Sequence, residues 1–167
     1  MPTKADIISS IAKELRIITH LASRLQPQHL DYRFTPTQRS TQELLEYLAI
    51  IAETNVSQLI NGRSDLGQRR QAEVKSIALA ALPGVLKAQQ QAVENLLAAF
   101  TEAEFAAKRI KNYQGNELPL AEALFEGLVK QLVGYKTQLF LQAKAAGVAN
   151  LGSPDLWRGE AAVAKAG

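Results

Sequence analysis

A chain of 167 residues and 18.2 kDa, 47% of them hydrophobic, has the size and apolar content of one packed domain spanning 1–167. It has no cysteine, which excludes disulfides, thiolate metal ligands and a Cys nucleophile. The net charge of +3 comes from mixed Lys, Arg, Asp and Glu, and the one basic patch, Gly62 to Arg70, has no interleaved aromatics, so a nucleic-acid partner is not expected. There is no run of ~18 apolar residues to span a membrane. The N-terminal MPTKADIISS lacks the apolar core of a secretion signal, so the chain is expected in the cytoplasm, away from membranes.

Leu, Ala and Gln are plentiful and Val, Thr and aromatic residues modest, a balance that favours helix. In chain order, Thr3 and Asp6 have capping-box spacing. They precede a stripe at Ile7, Ile8, Ile11, Leu15, Ile18, Leu21, Ala22 and Leu25, which predicts an amphipathic helix over Thr3–Leu25. Pro27 and Pro36 then make QPQHLDYRFTPTQRS an extended connection. Ser40 with Glu43 repeats the capping signal, and Leu44, Leu48, Ile51, Ala52, Val56, Leu59 and Ile60 carry a second helix to Asn61-Gly62.

A long crossover with some helix follows, up to Leu82-Pro83-Gly84, and a third helix is predicted from about Pro83 to Phe100. TEAEFAAKRIKNYQGNE reads as a short helical turn and a Gly-Asn loop, with Pro119 suited to the first turn of a fourth helix that runs to a C-cap at Gly147. The tail NLGSPDLWRG turns back. Four long helices with a long crossover between the second and third predict an all-α four-helix bundle.

Polar residues break the apolar pattern of helix four. Leu124, Leu128, Gln131, Tyr135 and Gln138 are spaced four, three, four and three apart, so Gln131 and Tyr135 point together. Tyr47 lies beside the inward stripe of helix two, where it could face that pair. A hydrogen-bonded core cluster, a retained ligand pocket and residual metal or enzyme chemistry are all compatible with these three. Gly134 is read as allowing close helix approach, and Trp157 as an anchor packing the tail across the bundle mouth at the pocket rim, with Gln138 also on that rim.

These stretches resemble the metal-dependent DinB-like bundles related to YfiT-type thiol transferases. LDYRFTPTQRSTQELLEYLA is similar to the family's turn into helix two, which bears a metal-ligand histidine, and Tyr47 stands in its place. QLVGYKTQLFLQAKAAG is similar to the helix-four segment with two histidines four residues apart, here Gln131 and Tyr135. Lys136, Thr137, Gln138, Leu139, the Ala-Gly ending and Leu156 to Gly159 also look like family features.

The resemblance implies a DinB-like bundle whose metal-ligand histidines are replaced, since Gln is a weak ligand and Tyr ionises only near pH ~10. No metal and no other cofactor is expected, and no catalytic residue is identified. There is no Glu-x-x-His pair, no His-Glu-x-x-His and no phosphate-loop motif, and His20 and His29 are isolated in sequence. Whether the chain is an enzyme stays open. The leading expectation is a small-molecule-binding or stress-associated protein. The alternatives are a metal- or thiol-dependent transferase acting on small electrophiles and a structural interaction module. Surplus apolar positions such as Ile8, Ile17, Leu96 and Leu97 add the expectation of a homodimer.

Overall fold

The computed structural model describes residues 2–62, 64–112 and 114–161. Helix α1, Lys4–Ser23, starts at a complete Thr3–Asp6 capping box. After a 3-10 turn at Pro27–His29 and an extended connection, a second box at Ser40–Glu43 opens α2, Thr41–Leu48. Helix α3 is Ile51–Asn61. The crossover holds α4, Leu66–Glu73, and a 3-10 turn at Leu79–Ala81 before α5, Leu82–Ala98. Next come α6, Glu102–Ala107, the antiparallel strands β1, Arg109–Lys111, and β2, Glu117–Pro119, then α7, Leu120–Ala123. A π-helical turn, Leu124–Val129, joins α7 to α8, Lys130–Ala145, and α9, Ser153–Trp157, forms the tail.

Helix α1 packs on both α5 and α8, α3 packs on α5, and α2 packs on α8. The four long helical units therefore form a ring in the order one, three, two, four, with the long crossover between two and three. Inside lie Ile7, Ile11, Leu15, Ile18, Leu44, Leu48, Val56, Leu86, Val93, Leu124, Leu132 and Leu139, all buried. This is the all-α bundle predicted from the stripes. No helix among the described residues is long and apolar enough to cross a membrane.

Several local features differ from the expected pattern. Helix two is broken at Ala49-Ile50, because the buried Gln89 of α5 inserts its amide there. Gln89 Oε1 accepts from Ala52 N at 2.7 Å, and its Nε2 donates to the Leu48 carbonyl at 3.0 Å. The expected Gly-Asn loop is the turn of a β-hairpin, in which Arg109 pairs with Pro119 and Lys111 with Glu117. Helix four contains a π turn at Leu124–Val129, after its first α turn, a departure that periodicity near 3.6 does not reveal.

Glycine and apolar positions also sort differently. Gly147 adopts φ +98° at the end of α8, as its C-cap role requires. Gly134 is exposed, with open space where a side chain would go, so it mediates no close packing. Ile17 and Leu97 are fully buried within the chain, and Ile8 and Leu96 pack against its core, so the apolar surplus is not an exposed face.

Candidate functional site

Tyr47 lies in the last turn of α2, and Gln131 and Tyr135 occupy successive turns at the start of α8, the helix on which α2 packs. All three are half-buried. The Tyr47 and Tyr135 rings meet edge to face, 5.0 Å apart at 72°. Gln131 Nε2 donates to the Tyr47 hydroxyl over a long 3.4 Å, and Gln131 Oε1 accepts from Asn55 Nδ2 of α3 at 2.9 Å. Two phenols and two amides from three elements thus converge between helices two and four.

The exposed Arg39 stacks on this cluster, its guanidinium carbon 4.2 Å from the Tyr47 ring centroid and 5.8 Å from that of Tyr135. Its backbone is held by Gln142, a fully buried residue of α8 whose Nε2 donates to the carbonyls of Tyr32 and Arg39, both at 3.2 Å. Gln138 donates to Gln142 Oε1 at 2.9 Å, so it braces the loop anchor one turn beyond Tyr135. Asn55, Arg39 and Gln142 were not singled out from the sequence. Gln142 continues the 131-135-138 ridge by four residues, a signal that could have pointed to it.

On the other side of Gln131 opens a partly enclosed groove of about 440 Å³. Asn55 and Leu59 of α3, Asn112 and Gln114 of the hairpin turn, and Leu128 and Gln131 of helix four line it. The π turn forms part of this wall through Glu126, Gly127 and Leu128. π bulges recur where a helix is shaped around a functional site.

Trp157 is 54% exposed and touches the bundle through one face, which lies over the Lys136 ammonium, so it is not the main anchor of the tail. Asp155 and Leu156 anchor the tail instead. The fully buried Asp155 accepts from His20 Nε2 at 2.8 Å and from Arg24 at 3.1 Å through Oδ1, and from Gly152 N at 2.9 Å through Oδ2. His29 is buried and accepts from Gln26 N through Nδ1 at 3.0 Å. Gly159 follows with φ +64°, and a Cβ there would lie 3.0 Å from the Arg16 guanidinium and 3.3 Å from the Ile17 Cα.

The donor set at Tyr47, Gln131 and Tyr135 does not fit the divalent metal that the family resemblance implies. An amide oxygen is a weak ligand and a phenol must lose its proton to become a good one. The cation stacked on the two rings opposes a second positive charge beside them. Among the described residues no three His, Cys, Asp or Glu side chains group as such a site would need.

No protein-family model and no curated protein matches the chain. Solved structures do. A DinB-like protein from Bacillus subtilis superposes with a TM-score of 0.66 at 18% identity, over 87% of this chain and 95% of that one. A DinB family member from Shewanella denitrificans gives 0.63 at 18% identity, over 90% of this chain and 88% of the other. At this identity the likeness establishes the fold, and the chain has the DinB-like bundle architecture.

Proposed function

We propose that this DinB-like bundle is a small-molecule-binding protein in which Tyr47, Gln131 and Tyr135 stand where related bundles carry metal ligands. The observation that carries the reading is the position of Gln131, shared between the tyrosine cluster and the groove. Its amide joins a fixed polar network to a partly apolar cavity within the ~300–1,000 Å³ range of ligand sites. The Tyr47 hydroxyl, itself packed edge to face against Tyr135, accepts from the Gln131 amide, while Asn55 fixes the rotation of that amide by donating to its carbonyl oxygen. Binding then needs no metal and no ionised side chain.

Native mass spectrometry of protein purified without a His-tag, paired with elemental analysis, tests this reading. The expected result is a retained organic adduct, or one acquired on exposure to a cell extract, with nickel, zinc and iron far below one per chain. Stoichiometric metal, or a chain that stays bare in every preparation, would overturn it.

A further inference from the structure

The groove has a chemical character that narrows what enters it. Among the described residues that line it, Glu126 alone is ionisable, and its carboxylate is paired with Lys130. Asn55, Asn112, Gln114 and Gln131 are all carboxamides, and Leu59, Leu118, Ala123 and Leu128 supply the apolar surface between them. The amides come from α3, the hairpin turn and α8, so the folded chain alone gathers them.

The internal hydrogen bonds leave part of this capacity open. Gln131 uses one amide hydrogen toward Tyr47 and one acceptor position toward Asn55, leaving a donor and an acceptor on one planar group among the described residues. Asn112 spends its oxygen within the turn, accepting from the backbone N–H groups of Gln114 and Asn116, both at 3.0 Å. That holds the turn closed beside the groove. Among the described lining residues a ligand carboxylate would find no cation, the one charged group there being the Glu126 carboxylate already paired with Lys130, and burying a charge without a partner is costly. A neutral amide can instead exchange one donor and one acceptor with Gln131 and lose no net hydrogen bond.

We infer that the groove selects uncharged, flat molecules bearing an amide or lactam edge, with Gln131 as the pairing residue and Leu59, Leu118 and Leu128 as the walls. The inference rests on the small-molecule reading proposed above and adds the ligand class. Bare backbone at Gly127 deepens the wall, since open space lies where a side chain would stand.

The test uses nicotinamide, uracil and 2-pyridone as neutral probes and nicotinate and orotate as acidic counterparts, with binding to the full chain followed by ligand-observed NMR. At least one neutral probe should bind ten-fold or more tightly than either acid. Gln131→Leu should weaken it at least ten-fold with an unchanged circular dichroism spectrum. Gln131→Glu, which keeps the shape and removes the amide donor, should do the same if the leucine variant fails to fold. Equal or tighter binding of the acids, binding indifferent to both substitutions, or no binding of any neutral probe would overturn the inference. An acidic adduct in the native mass spectrum would sink this ligand class while leaving the small-molecule reading intact, and a bare, ligand-refractory chain would sink both.

Discussion

Lys136 of α8 places its ammonium 2.6 Å from Glu14 Oε2 of α1, with Lys136 only 1% exposed and Glu14 7% exposed. Oε2 makes no aligned hydrogen bond, so charge pairing dominates the contact. The Trp157 ring lies 4.9 Å from the same ammonium and covers it from the tail. Helices one and four are thus tied by a buried ion pair.

Breaking that pair one side at a time should be expensive, because the surviving charge stays buried. Lys136→Met and Glu14→Leu are each expected to cost about 3–5 kcal/mol, whereas the double variant should recover most of that loss. Urea denaturation of the three proteins decides it, and additive losses would mean that the charges are solvated rather than coupled.

Gln89 should matter more than a surface glutamine. Its amide takes the Ala52 N–H and gives to the Leu48 carbonyl across the break in helix two. Replacing it by Leu leaves two buried backbone groups without these partners, with an expected cost of about 1–3 kcal/mol for each group left unsatisfied. Faster amide exchange at Ala52 should accompany the drop in stability, and unchanged exchange there would contradict the staple.

Acid should weaken the fold through its helix caps. The carboxyls of Asp6, Glu43 and Glu104 are each held below the usual carboxylate range, first by the backbone N–H of Thr3, Ser40 and Thr101 respectively. A folded-state pKa lowered in this way contributes stability that is fully present above the unfolded values of about 4. That stability is lost as the pH falls through the lowered folded values. Thermal melts from pH 7 to 2 should therefore show Tm falling below about pH 5, and combining Asp6→Asn, Glu43→Gln and Glu104→Gln should flatten the slope. An equally steep acid slope in that variant would assign it to other groups.

Replacing Tyr47→His, Gln131→His and Tyr135→His together should create divalent-metal affinity, because the three positions already converge between α2 and α8. Three imidazoles with an open position are a standard zinc arrangement. Zinc titration of the folded variant against the parent chain measures it, and equal affinities would refute the correspondence with the family's ligand positions. For the parent chain, strong chelator should leave Tm unchanged.

The bundle itself was legible in the sequence because its causes are local. Capping boxes at Thr3–Asp6 and Ser40–Glu43, the apolar stripes that follow them and the Gly147 cap depend only on neighbours a few residues away. The four-residue spacing of Gln131 and Tyr135 likewise places both on one helix face whatever packs against it. Tertiary structure alone decided the rest. Gln89 breaks helix two from 37 residues away along the chain, and Asn55 reaches Gln131 across 76. Whether Lys136 is solvated or buried depends on Glu14 in another helix, and the amides of the groove meet only when the hairpin folds against α3 and α8. Side-chain partners of this kind are chosen by packing geometry, which periodicity cannot encode, and the chemistry of the groove is a product of that choice.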